Sequence, residues 1–326
     1  MDAEPRYKIW LNKETKMLMR LGKMGTNGII ALVLAALLFF VIAGYVWIKS
    51  QDETRSLEGE IIYSGQSQSI IVNHENTHLA LVPKSAIERA GSNLHIAYGH
   101  TSHGSQITDG MTGLSHFSTA PYGSSLYSWN DGGTGGALDL RDGALSGDLG
   151  SPDRTSWADR TRTYLDAHRD VNVVMWSWCG QVSEAKESHI NTYLSLMNKL
   201  ESEYTDVKFV YMTGHLDGTG VSGNLNIRNE QIRNYCRLNN KILFDFADIE
   251  SYDPDGNYYL DRGADDGCYY NDGSQNWAID WQNSHRKGTD WYECSSAHSE
   301  PLNANQKAYA AWWLWARLAG WDGNTR

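Results

Sequence analysis

A segment of small, hydroxyl and imidazole side chains, residues 99–107, reads GHTSHGSQI and directly follows an apolar run. A turn of small residues after a buried strand can expose a serine hydroxyl, here that of Ser102, at the start of a helix. Oriented N–H groups at that position favour a developing oxyanion. The alternative is that Ser102 and Ser105 only cap the following helix, as small hydroxyl residues often do. The segment therefore provides a candidate nucleophile.

A candidate base lies near the C-terminus, where residues 294–303 read CSSAHSEPLN ahead of a stretch rich in Ala and Trp. A histidine in a loop before a terminal helix, here His298, is well placed to take a proton from a serine across the sheet. A lone loop histidine is usually a surface residue, so His298 gains weight only through Ser102. Together the two residues predict nucleophilic catalysis.

Several histidines and an aspartate in the same group of loops suggest a second chemistry. His100, His103, His215 and Asp217, together with His298, could hold a divalent metal ion. The alternative is that these side chains bond loop backbones and shape a pocket. Because no tight ligand spacing such as HExxH is present, we expect no metal here and interpret His103, His215 and Asp217 as pocket residues.

An acidic run at residues 253–257 reads DPDGN and is followed by further aspartates. Oxygen ligands from Asp253, Asp255 and Asp261 could bind calcium. The glycine stands at the fourth position of the run rather than the sixth, so this is not an EF-hand loop, and a solvated acidic turn is the favoured interpretation. We expect no other cofactor.

Apolar runs alternate with helical patterns over most of the chain. The predicted strands are 94–98, 171–176, 207–212 and 241–246; the predicted helices are 83–91, 154–169, 183–204, 223–239 and 304–319. This alternation predicts an α/β fold with a mostly parallel sheet covered by helices. Such folds carry functional residues in the loops after the carboxyl ends of the strands, where Ser102 falls. Three long loops are expected, at 114–153, 214–222 and 251–297.

Residues 28–48 form an uncharged apolar run of 21 residues, long enough as a helix to cross about 30 Å of hydrocarbon. The 326-residue chain has a formal net charge of −11, of which residues 1–27 contribute +3 and residues 50–326 contribute −15. The positive-inside rule then predicts a single-pass anchor with a cytoplasmic N-terminus and an extracytoplasmic body, at the cell surface or in the periplasm. A cleaved signal peptide is the alternative. The acidic body argues against nucleic-acid partners.

The chain is therefore divided into a cytoplasmic leader (1–27), a transmembrane helix (28–48), a stalk with a short β segment (49–74) and an extracytoplasmic domain (75–326). The four cysteines, Cys179, Cys236, Cys268 and Cys294, all lie in the exported part. An even count there predicts two disulfides, with three pairings open. Because Cys268 and Cys294 bracket an aromatic loop, that pair is favoured.

The sequence contains 13 tryptophans, several of them in polar loops together with tyrosines. Rings with polar neighbours suit stacking on sugars, although tryptophan also simply buries area. Trp312, Trp313 and Trp315 fall in the last predicted helix and are not all expected to face the core. We therefore expect some of them to contact a neighbouring element or a second subunit, which makes an oligomer a further prediction.

The order of these blocks resembles that of the SGNH (GDSL-like) hydrolases. GHTSHGSQI is similar to the serine block of a divergent branch in which Gly-His-x-Ser-x-Gly replaces Gly-Asp-Ser. FDFADIESYDPDG (244–256) resembles the fourth-strand region of that branch, and HSEPLN (298–303) resembles its His-Leu-Asn block. The resemblance covers about residues 75–320. It implies a three-layer, flavodoxin-like fold with helices on both faces of the sheet.

The resemblance also implies roles for individual residues. Ser102 would be the nucleophile and His298 the general base, while Gln181 and a backbone N–H of Gly150 would contribute to the oxyanion site. The family usually has an aspartate three residues before the histidine, where this chain has Ser295. Asp290 or Glu293 would then orient His298, unless the site works as a Ser–His dyad.

These observations lead to one expected function and two alternatives. The expected function is ester hydrolysis outside the cytoplasm by a membrane-anchored SGNH-like enzyme, with an O-acyl group on a glycan as the favoured substrate. The first alternative is an ectodomain that kept the fold without the reaction and serves glycan binding or envelope assembly. The second is a metal-dependent hydrolase built on His100, His103 and His215.

Overall fold

The structure is a computed structural model, and it describes residues 69–324. The leader (1–27), the membrane segment (28–48) and most of the stalk (49–74) lie outside the described residues, so these remain predictions. Between residues 69 and 324, none of the helices has the length and apolar character needed to cross a bilayer.

The described chain alternates between strands and helices. The strands are β1 (Ile70–Val72), β2 (His95–Gly99), β3 (Trp129–Asn130), β4 (Leu138–Asp142), β5 (Val173–Trp176), β6 (Lys208–Met212), β7 (Ile242–Phe244), β8 (Tyr269–Tyr270) and β9 (Gln275–Asn276). The α-helices are α1 (Lys84–Asn93), α2 (Ser105–Leu114), α3 (Ser156–Ala167), α4 (Glu187–Glu203), α5 (Asn224–Leu238), α6 (Phe246–Ile249), α7 (Trp277–Ser284) and α8 (Pro301–Leu318).

The main sheet contains seven strands in the order β1-β7-β6-β5-β2-β4-β3, and every neighbouring pair is parallel. After β2 the chain passes outward to β3 and β4, and it then returns through β5 to β6 and β7. Because crossovers between parallel strands are right-handed, this reversal places α1 and α2 on one face and α3, α4 and α5 on the other. Helix α8 packs on α1 and α2, and α4 packs on α3 and α5. The predicted mostly parallel sheet flanked by helices is confirmed.

The strands and helices predicted from periodicity agree with the structure to within a few residues. Two predicted loops are wrong, because 114–153 contains β3 and β4 and 251–297 contains β8, β9 and α7. Strand β4 reads LDLRD, and its three charged residues, Asp139, Arg141 and Asp142, obscure the strand pattern. Asp139 and Arg141 are both buried and bond to each other, and His95 also bonds to Asp139. This pairing explains how the strand is buried despite its charges. The sheet also includes β1, which precedes the domain start predicted at residue 75.

The ion pair of β4 predicts an acid-dependent contribution to stability. Burial opposes ionisation of Asp139, but hydrogen bonds from Arg141 and His95 lower the pKa of its carboxyl below the usual value. The stabilisation is therefore present above the unfolded pKa of about 4 and is lost as the pH falls through the lower folded pKa. We expect Asp139→Asn to cost about 1–3 kcal/mol at pH 7, with the difference shrinking in acid. Urea unfolding at pH 7 and pH 3 measures this, and an equal difference at both pH values would contradict it.

The tryptophans are more deeply buried than the sequence suggests. The side chains of Trp312, Trp313 and Trp315 are only 0%, 6% and 0% exposed, because α8 is covered by α1 and α2, by the sheet and by the elements that follow β7. The expectation that not all of them face the core is therefore wrong; they contact neighbouring elements of the same chain, and an oligomer remains a prediction. Trp277 and Trp281 are also buried, in a second apolar cluster within residues 216–302, rather than exposed as platforms for sugars.

The four cysteines are free thiols in the structure, so the predicted pairing of Cys268 with Cys294 is not formed. Cys268 Sγ lies 3.4 Å from Ser299 Oγ, whereas Cys294 contacts the side chain of Asn305. Burial raises the pKa of the thiols of Cys236, Cys268 and Cys294, to about 12 for the last two. Three of the four thiols thus behave as packed side chains, and Cys179 differs from them.

Candidate active site

Strand β2 and the turn that follows it place Ser102 where the sequence predicts. The strand ends at Gly99, and a short 3-10 helix, Ser102–Gly104, leads into α2. A Cβ atom on Gly104 would lie 2.8 Å from the Cβ of Ser177, so only glycine allows the turn to pack this closely against the chain after β5. Since β2 and β5 are neighbours at the point where the chain reverses, the exposed Ser102 lies at the switch point of the sheet, where ligands of such folds bind.

The hydroxyl of Ser102 contacts two groups that can exchange protons. Its Oγ lies 3.5 Å from Nδ1 of His103 and 3.6 Å from Sγ of Cys179. Cys179 follows β5, and its Sγ lies 3.5 Å from the same Nδ1. Two candidate nucleophiles therefore share one imidazole nitrogen.

A carboxylate holds His103 from the other side. The ring is buried, and its Nε2 lies 2.7 Å from Oδ2 of Asp266. Because an ionised carboxylate only accepts hydrogen bonds, Nε2 carries the hydrogen and Nδ1 is left with a lone pair. Burial lowers the pKa of His103, but hydrogen bonds with Asp266 and Cys179 outweigh it and raise that pKa above its usual value. Ser102, His103 and Asp266 thus form a continuous hydroxyl–imidazole–carboxylate chain.

Three imidazole rings are stacked at the site. His103 lies between His215, at a ring separation of 3.6 Å, and His298, at 4.5 Å. His298 is exposed and adopts a left-handed φ of 62°. No hydrogen bond between His298 and Ser102 is present among the described residues. The structure therefore stacks the predicted base on His103, the residue next to the candidate nucleophile.

Asp290, proposed to orient His298, belongs to a separate turn. Its carboxylate accepts a hydrogen bond of 2.8 Å from the backbone N–H of Arg286. Within residues 69–324 no hydrogen bond or ion pair joins Asp290 to His298. The carboxylate that meets the histidines is that of Asp266, which the acidic loop after α6 supplies.

The two residues predicted for the oxyanion site lie near Cys179. Gln181 accepts a hydrogen bond from the backbone N–H of Cys179 at 3.1 Å, and its amide group donates to Asp148. Gly150 has a left-handed φ of 81°, and a Cβ there would lie 3.1 Å from the ring of Trp178. The loop that carries Gly150 thus packs against the turn after β5. One N–H of the Gln181 amide is engaged by Asp148 and its side-chain oxygen by the N–H of Cys179, so its visible role is to fix this turn.

The other predicted ligands are used locally. His100 bonds to Asp142 at 2.6 Å, and Asp217 accepts a hydrogen bond from the N–H of Thr219 at 3.0 Å. Asp253, from the predicted calcium set, accepts hydrogen bonds from the N–H groups of its own turn and from the hydroxyl of Tyr259.

The remaining two members of that set do not join Asp253 in a ligand cluster. Asp255 accepts a hydrogen bond from the indole of Trp281, and Asp261 is exposed with its Oδ1 4.0 Å from the Nε of Arg262. In the described part of the chain, close groups of potential ligands form instead at His103, His215 and Asp266 and at His95, Asp139 and Asp170. Calcium binding by the acidic turn remains a prediction.

A buried ion pair lies beneath the site. Lys307 of α8 and Glu250 have fully buried side chains, and Nζ lies 2.7 Å from Oε2 of the carboxylate. The same ammonium donates to Gln106 of α2 and to Asn303. Burial lowers the pKa of Lys307, and the attraction of Glu250 opposes this shift.

This ion pair holds the loops that carry the histidines. The second oxygen of Glu250 accepts from the backbone N–H of Leu216, next to His215. Gln106 donates to the carbonyl oxygen of Ala297, next to His298. The Lys307 network therefore positions two of the three stacked rings relative to α2.

Comparison of the chain with protein-family models, with curated proteins and with solved structures found no match. The site therefore has to be interpreted from its own geometry. The residue pattern of the chain does not indicate His103 as the partner of Ser102, Cys179 as a possible nucleophile or Asp266 as a candidate orienting carboxylate. The adjacency of Ser102 and His103 was the one local indication of this arrangement.

Proposed function

We propose that the chain is an ester hydrolase of the SGNH-like class, with Ser102 as nucleophile, His103 as general base and Asp266 as orienting carboxylate. The observation that carries this proposal is the continuous contact from Ser102 Oγ through His103 to Asp266. The central strand order β4-β2-β5-β6-β7 supports a flavodoxin-like arrangement, since it follows the 2-1-3-4-5 pattern with the switch point between β2 and β5.

In this mechanism Ser102 Oγ attacks the carbonyl carbon of the ester while Nδ1 of His103 takes the hydroxyl proton. Asp266 stabilises the imidazolium that forms, and the N-terminal end of α2 favours the developing oxyanion. The alcohol leaves with the proton from His103, which gives an acyl-serine. Water then attacks the acyl group, transferring its proton to His103, and the carboxylic acid leaves as Ser102 regains a proton.

The substrate we propose is an acyl ester on a glycan outside the cytoplasm, with the chain held to the membrane by residues 28–48. A cavity of about 400 Å³ runs along α2, and its volume is within the usual range for small-molecule sites. It is lined by polar groups such as Asp109 and His116 and by the rings of Phe117 and Tyr292, a mixture that suits a sugar. Asp109 also accepts a hydrogen bond from Ser105, so the cavity begins one helical turn from the nucleophile segment.

A second candidate function is a cysteine-dependent acyl hydrolase with Cys179 as nucleophile. Its Sγ lies as close to Nδ1 of His103 as the hydroxyl of Ser102 does. Burial opposes ionisation of this thiol, but hydrogen bonds with Ser102 and His103 lower its pKa below the usual value. A thiol activated in this way can form an acyl-thioester with the same base and carboxylate.

The test is covalent labelling of the full-length chain by a fluorophosphonate probe, with the labelled peptide identified by mass spectrometry. We expect one label, on Ser102, that is lost in Ser102→Ala and kept in Ser105→Ala and Cys179→Ala. Labelling of Cys179 by iodoacetamide, with turnover lost only in Cys179→Ala, would favour the second candidate. A chain with neither label nor turnover would contradict both candidate functions. It would favour the alternative of an ectodomain that binds its ligand without catalysing a reaction.

The orienting role of Asp266 gives a separate prediction. We expect Asp266→Asn to lower kcat/KM for an acyl ester by about 10²–10⁴-fold, because the imidazole loses both its fixed tautomer and the charge that stabilises the imidazolium. Asp265→Asn is the matched control, since Asp265 bonds to the backbone N–H of Tyr269 instead. If kcat/KM fell equally in the two variants, the proposed role of Asp266 would be contradicted.

A further inference from the structure

One ring nitrogen at the site has no partner. His215 is 8% exposed, and its Nδ1 lies 2.8 Å from the carbonyl oxygen of Leu216. Because a carbonyl only accepts hydrogen bonds, Nδ1 carries the hydrogen and Nε2 of the neutral ring bears a lone pair. That Nε2 is buried and makes no hydrogen bond to any described residue. Burying an acceptor in this state costs free energy unless a ligand meets it.

The unpartnered nitrogen belongs to a group with the composition of a metal site. One ligand atom from each of His103, His215 and Asp266 lies within 4.8 Å of the other two. Two imidazoles and one carboxylate are typical ligands of Zn²⁺, and three protein ligands leave a position open. Metal-binding histidines also commonly donate their other ring N–H to a carbonyl, as His215 does toward Leu216.

The other cluster of potential ligands in the described chain shows why this one stands out. His95, Asp139 and Asp170 also lie close together, but the guanidinium of Arg141 lies among them and bonds to both carboxylates. A cation of the chain itself thus satisfies that cluster. Asp266 instead contacts the imidazole of His103, and no ion pair with a lysine or arginine of residues 69–324 involves this carboxylate.

We infer that His103, His215 and Asp266 bind one divalent transition-metal ion of the Zn²⁺ type, and that the bound ion inhibits the hydrolase. The metal-binding part stands on the unpartnered nitrogen and its neighbours alone, whereas the inhibition rests on the proposed function. A metal on Nε2 of His103 leaves the ring hydrogen on Nδ1, the atom that would have to accept the proton of Ser102. The ion also engages Asp266, so it removes both partners of the nucleophile.

This site differs from the metal alternative in the sequence, which combined His100 with His103 and His215. His100 is held instead by Asp142. The third ligand comes from Asp266, which lies 163 residues after His103 in the chain. The ligand set therefore requires the fold to form first.

The first experiment measures metal binding without relying on activity. The full-length chain is stripped with a chelator and titrated with Co²⁺ and Zn²⁺, following the visible absorption of bound Co²⁺ and the heat of Zn²⁺ binding. We expect one ion per chain and an affinity at least about 10-fold weaker in His215→Ala, with His100→Ala behaving as wild type. Zn²⁺ should raise the Tm of the wild type and not that of His215→Ala. No stoichiometric binding, or equal binding by His215→Ala, would overturn the site.

The second experiment measures inhibition as the ratio of p-nitrophenyl acetate hydrolysis rates without and with saturating Zn²⁺. We expect this ratio to be about 10 or more for the wild type and close to 1 for His215→Ala. A rate that rises with Zn²⁺ would overturn the inhibition. A chain that binds the ion but hydrolyses no ester would contradict the proposed function and support the metal site. A chain that hydrolyses esters but binds no ion would support the proposed function and contradict the metal site.

Discussion

Ester hydrolysis is expected to be lost when Ser102 becomes alanine, with kcat/KM falling by about 10⁴-fold or more. The variant removes the only hydroxyl within residues 69–324 that bonds to Nδ1 of His103, at 3.5 Å. Ser102 is exposed and its side chain fills no core space, so folding and Tm should remain as in the wild type. Hydrolysis of p-nitrophenyl acetate and release of acetate from an acetylated glycan provide the measurements.

The matched control for this prediction is Ser105→Ala. Ser105 lies on the same turn, and its hydroxyl donates to the carbonyl oxygen of Ser102 and to Asp109. Its loss should change the rate by less than about 10-fold, because a typical intramolecular hydrogen bond contributes only about 1 kcal/mol. If both variants kept the wild-type rate, Ser102 would not be the nucleophile.

Two histidine variants distinguish His103, the base proposed from the structure, from His298, the base predicted from the sequence. His103→Ala should lower the rate about as far as Ser102→Ala, because members of a catalytic unit are not additive. His298→Ala should have a much smaller effect, since His298 is exposed and only stacks on the ring of His103. The opposite order of losses would restore His298 as the base.

The placement of Ser102 could be predicted from the sequence because it depends on local structure. An apolar strand, a turn of small residues and a helix are adjacent in the chain, and each has its own residue pattern. The parallel sheet follows from the alternation of such units. Strand β4 could not be found in this way, because Asp139 and Arg141 are buried through each other and through His95 and Asp170, which lie elsewhere in the chain.

The partners of Ser102 could not be predicted for the same reason. Asp266 reaches His103 across 163 residues, and nothing in the acidic loop distinguishes it from the neighbouring Asp265. The resemblance to a known class pointed to His298, and the fold does bring His298 to the site, 4.5 Å from the ring of His103. The resemblance does not indicate which of the three histidines contacts Ser102, because that depends on hydrogen bonds formed only in the folded chain.

Replacing Lys307 by methionine is expected to destabilise the protein by about 3–5 kcal/mol, the cost of leaving a buried charge without its partner. Methionine matches the length of the lysine stem, so the main change is the loss of the ammonium that contacts Glu250, Gln106 and Asn303. Urea unfolding monitored by tryptophan fluorescence measures the free energy of unfolding. A cost below about 1 kcal/mol would show that the pair contributes little to the fold.

The control for this prediction is Lys199→Met, which removes an exposed lysine paired with Glu203 at 3.8 Å. Exposed pairs contribute about 0–1 kcal/mol, so the free energy of unfolding of this variant should be close to that of the wild type.

In the double variant Lys307→Met with Glu250→Leu, the unpaired carboxylate is removed, and the total cost should be smaller than the sum of the single costs. Some cost should remain, because the backbone N–H of Leu216 and the side chain of Gln106 also lose their partners. That remainder connects stability to the site, since these two groups hold the loops of His215 and His298. The double variant should therefore bind Zn²⁺ more weakly than the wild type even when it is fully folded, whereas Lys199→Met should not.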